Sequence, residues 1–159
     1  INNIWINKMK TAFLLALVML TSCALGIERL WAKGDVLLEE LQNGKDELHI
    51  VYFYNPVNSD ETYAKVRENQ RIKNEVLNYL NTLSEDGQNQ FPTPVYYSVV
   101  ESTDPYNQNL MYKLGVDEEV LETGPVVVAL RHGRGYRHSG PKLTAYLKKS
   151  VNALRQAGQ

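Results

Sequence analysis

Cysteine occurs once in the 159 residues, at Cys23. That scarcity excludes an intramolecular disulfide, a CxxC redox pair and a multi-cysteine metal site together. Asn-x-Ser/Thr sequons are absent, which together with the missing disulfides disfavours folding in the endoplasmic reticulum lumen. An excess of one charge is lacking as well: 17 Lys+Arg meet 18 Asp+Glu, for a net charge of −1. Nucleic acid is therefore not an expected partner, because its ligands carry a basic excess. Only three histidines occur, His49, His132 and His138. A metal site would have to gather them from separate elements, so none is expected. The spacing of Gly133, Gly135 and Gly140 fits neither a Walker loop nor a dinucleotide fingerprint. Ser98 and Ser139 stand in no nucleophile-elbow context. No catalytic residue and no cofactor is expected.

What is present is an ordinary globular composition, 43% hydrophobic and 22% charged, in a length that allows one domain plus an appendage. The appendage is conspicuous. From Thr11 to Ile27 the chain reads TAFLLALVMLTSCALGI, 17 uncharged residues between Lys8/Lys10 and Glu28/Arg29. A helix of that length covers about 26 Å, enough to span a bilayer, and Leu30 and Trp31 could extend it into the interface. The competing reading starts at Met9 as a cleavable secretory signal ending near Ala24-Leu25-Gly26, or as a lipobox at Leu20-Thr21-Ser22-Cys23. The retained single-pass anchor is favoured, with residues 1–31 as tail and membrane segment and 32–159 as the soluble domain. Its lipid contact would be residues 11–27. Orientation is undetermined, since Lys8 and Lys10 balance Arg29 and Lys33. The mitochondrial inner membrane is weakly favoured over the secretory system.

Residues 28–44, with apolar positions at Leu30, Trp31, Val36, Leu37, Leu38 and Leu41, suggest a neck and first helix ending at Asn43-Gly44. His49–Tyr54 is a β-branched and aromatic strand closed by Asn55-Pro56. Asn58 and Glu61 are spaced as a capping box opening a long helix through Leu83, whose Lys65, Arg67, Glu68, Arg71, Lys73 and Glu75 form a solvated face. Ser84–Pro94 reads as a loop and Val95–Val100 as a second strand. A short helix follows Asp104-Pro105, and Asp117-Glu118-Glu119 reads as an acidic turn. Val126–Leu130 is a third strand, His132–Gly135 a hairpin turn, and Tyr136–His138 its return. Lys142–Arg155 closes the chain as an amphipathic helix. This order suits a mixed sheet flanked by helices, an α/β domain.

Residues 35–155 resemble a thioredoxin-like domain. Three places carry the resemblance. His49–Tyr54 with its turn and capped helix is similar to the strand leading into the family's active-site helix. Leu114-Gly115-Val116 is similar to the segment before its cis-proline. Gly124-Pro125 through Ser139-Gly140 is similar to the proline, strand, turn, strand and glycine before its last helix. The resemblance makes Pro125 the cis-proline candidate. It also places Asn58, Ser59, Asp60 and Glu61 where catalytic members carry CxxC, with Asn58 and Glu61 in the two thiol positions. Neither is a redox nucleophile, and Cys23 lies in the apolar run, so the expectation is a redox-inactive member.

Arg131, His132, Arg134, Arg137 and His138 form the sharpest local charge feature, a contact candidate for an acidic partner or an anionic lipid headgroup. The plainer alternative is a solvated hairpin whose charges guard an edge strand. Ten tyrosines also suit protein contacts. The expectation is a non-enzymatic, membrane-anchored accessory subunit of a larger complex, respiratory-chain assemblies being the first guess. The alternative is a secreted or lumenal peptide-binding module working through a groove beside Pro125.

Overall fold

The computed structural model describes residues 27–44, 46–56, 63–85 and 94–156. Within them the order is β1 (Ile27–Arg29), α1 (Gly34–Asn43), β2 (Leu48–Tyr54), α2 (Tyr63–Glu85) and β3 (Val95–Glu101). A 3₁₀ turn (Pro105–Asn107) then leads into α3 (Gln108–Lys113), α4 (Glu118–Thr123), β4 (Val126–Arg131), β5 (Arg134–Ser139) and α5 (Leu143–Gln156). The five strands form one sheet in the order β1-β3-β2-β4-β5. β1 and β2 both run parallel to β3, whereas β4 is antiparallel to β2 and to β5.

The two crossovers explain the layering. The step from β1 to β2 passes over β3 in one direction, and the step from β2 back to β3 runs in the other. Crossovers of one hand therefore place α1 and α2 on opposite faces of the sheet. One core joins Leu48, Ile50 and Tyr52 to Ile72, Val76 and Leu80 of α2 and to Leu143, Leu147, Val151 and Leu154 of α5. The other joins Val51, Phe53, Val126 and Val128 to Leu37, Leu110, Met111, Val116 and Leu121. Central β2 is buried on both sides over its first six residues, which is why its sequence runs apolar without alternation.

The N-terminal part departs from the sequence reading. Residues 27–29, assigned above to the membrane segment and neck, form the edge strand of the sheet, with Ile27 opposite Val95 and Arg29 opposite Tyr97. Ile27 packs on the α2/α5 core and Leu30 on the opposite one, so the short segment alternates as a strand does. The helix begins only at Gly34. Its start is fixed by Asn107, buried, which accepts the Gly34 N–H (3.0 Å) and donates to the Glu101 carbonyl (2.9 Å). The acidic turn at 117–119 is likewise the start of α4, with Asp117 at its N-cap and two glutamates in the first turn. No helix among the described residues is long and apolar enough to cross a membrane. The expected span at residues 11–27 lies, Ile27 apart, outside them.

Candidate functional site

The C-terminal ends of the parallel strands are where an open α/β sheet places its site. The residues expected at the CxxC position, Asn58, Ser59, Asp60 and Glu61, lie outside the described residues. The described residues at these strand ends are rich in aromatics. Trp31 stands 74% exposed after β1, and the Arg29 guanidinium lies 3.7 Å from the centre of its ring. Tyr54 ends β2 beside Tyr52 (6.4 Å between rings) and donates its hydroxyl to Glu101 Oε2 at 3.3 Å. Burial and the Glu101 carboxylate both push the Tyr54 hydroxyl pKa up, so it stays protonated and a donor. Arg29, Trp31, Tyr54, Val99, Glu101 and Asn107 enclose a hollow of about 200 Å³. Tyr106, in the 3₁₀ turn, is largely exposed next to Gly34.

Pro125 follows α4 and feeds β4, as the resemblance implied, but its peptide bond is trans: the described residues contain no cis peptide. Gly124 before it takes φ 156° and ψ −179°, a positive-φ conformation that favours glycine. The cis-proline expectation is corrected accordingly.

The basic cluster at 131–138 does not converge. Strand alternation and a tight turn distribute it. His132 (φ 52°) and Gly133 (φ 68°) are both left-handed and make the two-residue turn between paired Arg131 and Arg134, the I′ geometry that suits hairpin twist. Arg131 is only 8% exposed; it donates from Nε to the Asp46 carbonyl (3.1 Å) and from Nη1 to the Leu154 carbonyl (3.1 Å). It caps the negative end of α5 and is withdrawn from the expected contact surface. His132 Nε2 sits 3.1 Å from Asp46 Oδ1, and Arg137 Nη1 3.5 Å from Asp117 Oδ2. His138 turns toward α5, with Nε2 2.5 Å from Ser150 Oγ and its ring 5.8 Å from that of Tyr146. Burial pushes its pKa below the ordinary value. Arg134 alone of the five projects beside the turn without a described partner, and of the three in β5, Arg137 and His138 lie on opposite faces.

The three histidines remain apart, and no group of three or more His, Cys, Asp or Glu among the described residues could hold a metal ion. His49, expected in the strand His49–Tyr54, is buried in β2 and stacked on Tyr96 at 5.4 Å.

No family model and no curated protein matches the sequence. Solved structures do. A thioredoxin f2 in complex with ferredoxin:thioredoxin reductase aligns with TM-score 0.51 and 15% identity, over 82% of this chain and 96% of that one. Oxidized thioredoxin O2 from Arabidopsis thaliana aligns with TM-score 0.52 and 16% identity, over 82% and 96%. The protein thus has a thioredoxin-like fold. At these identities the likeness is one of architecture.

Proposed function

We propose that this chain is a non-catalytic thioredoxin-like module, held to a membrane by the apolar run at residues 11–27, that serves as an accessory or scaffolding subunit of a larger membrane protein complex. A mitochondrial inner-membrane respiratory assembly is the first candidate. One observation carries the reading: the sole cysteine, Cys23, precedes β1 within the apolar run, so the domain with a thiol enzyme's architecture contains no thiol from Ile27 to its last residue. Disulfide exchange needs a thiolate nucleophile. The exposed Trp31, Tyr106 and stacked Arg29 at the strand ends have the composition of protein-contact surfaces, rich in aromatics and arginine.

Two measurements test it. Mild detergent extraction should show the chain co-migrating with a much larger assembly, and a monodisperse monomer would sink the proposal. In an insulin-reduction assay with dithiothreitol the chain should give no acceleration over the reductant alone. Sequencing the mature N-terminus separates the alternative: an end at Ile27 or a modified Cys23 removes the anchor and leaves the secreted peptide-binding module.

A further inference from the structure

On the face of the sheet opposite α2 and α5, an open groove of about 630 Å³ runs between α1 and the starts of β1, β2 and β3. Glu28, Glu39, Glu40 and Glu47 line it, together with apolar Leu30 and Val36, and no described Lys or Arg does. Its floor is His49 on Tyr96. The His49 side chain is only 4% exposed, and neither ring nitrogen has a hydrogen-bond partner; the nearest acceptor, Glu47 Oε2, is 3.4 Å from Nε2. A buried polar ring left in this condition is costly and uncommon.

The charge of the lining is one-sided, although the Asn43 amide and the Tyr96 hydroxyl add neutral donors. Carboxylates only accept hydrogen bonds. Burial pushes the His49 pKa down despite the opposing pull of Glu47 and Glu40, so the imidazole is neutral at pH 7 and keeps one bare acceptor nitrogen. Of the backbone beside the ring, the Gly44 N–H is already given to the Glu40 carbonyl at 2.9 Å. Gly44 is also the closest wall, for a Cβ there would stand 2.5 Å from His49 Nε2 and 3.1 Å from Glu47 Oε2. Acceptors, negative charge and an aromatic ring meet an apolar wall, and what they lack is a donor that carries positive charge on an apolar stem. A bare metal ion fits less well, because the acids converge on no three-ligand geometry.

We propose that this groove binds an alkylammonium group, its methylenes on Leu30 and Val36 and its charged head among Glu40, Glu47 and the Tyr96 ring. The source is either a free polyamine or a lysine side chain of a partner protein, and the proposal stands independently of the membrane role above. The test follows the imidazole carbon signals of His49 by NMR in the full-length chain in detergent micelles at pH 7, titrated separately with spermidine, a lysine-bearing peptide and Zn²⁺. A saturable shift with spermidine assigns the free polyamine. A shift with the peptide and none with spermidine assigns the partner side chain. In either case binding should lower the His49 pKa further, since the cation offsets the two carboxylates that hold it up. The E40Q/E47Q double variant should bind about tenfold more weakly, while E119Q, outside the groove, should bind as the parent does. A shift with Zn²⁺ alone, no shift with either amine, or undiminished binding by E40Q/E47Q would overturn the proposal. So would binding seen only in K45A, because Lys45, outside the described residues, would then be the groove's own occupant.

Discussion

Arg131 shows how far one side chain's role depends on which face of a strand it occupies. In sequence it heads a basic cluster; in the fold its guanidinium joins the carbonyls of Asp46 and Leu154 and closes the end of α5. Replacing it with methionine keeps the apolar stem but strands those acceptors, and should cost about 2–3 kcal/mol in urea unfolding. R134M, at the exposed position of the turn, should be near neutral by the same measurement. Gly34 makes a different demand. Its φ is +52°, and a Cβ would fall 2.2 Å from the Tyr106 carbonyl oxygen, a backbone atom that cannot swing aside. G34A should therefore destabilise by about 3 kcal/mol through strain and displacement together, read as a fall in the urea midpoint.

At the scale of elements, strands and long helices were legible because their patterns are local. β2 is a run of seven apolar, aromatic and histidine residues, and α5 repeats its buried positions at 143, 147, 151 and 154, one helical face. β1 was not legible: three residues have no period to read, and the adjoining apolar run drew them into a helix. The same holds for sites. The basic hairpin was visible because its residues are consecutive, yet alternation divides it. The acidic groove was invisible because its glutamates come from β1, α1 and the loop before β2, and only the sheet order unites them. The β5–α5 contact carries a pH signature. Burial holds the His138 pKa below its unfolded value near 6.5, so the unfolded chain binds a proton there that the folded chain does not. Stability supported by this contact is full above about pH 6.5 and falls as pH drops through that value. His49 acts with the same sign. Thermal melts from pH 7 to pH 5 should show a declining Tm, and H138Q should flatten part of that decline.

For the whole molecule, the resemblance to a thioredoxin-like domain was readable from the succession of elements, and solved thioredoxins aligned over 82% of the chain bear out the fold. What the resemblance implied about Pro125 did not carry over, since no peptide bond among the described residues is cis. The aromatic strand ends and the acid-lined groove open on different sides of β1. That strand has a mechanical consequence. Among the described residues its three residues, with the Leu30 N–H given to the Tyr97 carbonyl at 2.9 Å, pair the chain to the β3 edge. A load drawn through the N-terminal segment reaches these few hydrogen bonds before any other part of the sheet. The domain therefore carries a short fuse, able to release about 10 Å of chain at 3.3 Å per residue, giving up the Ile27 contact with the α2/α5 core while β2 stays paired with β3.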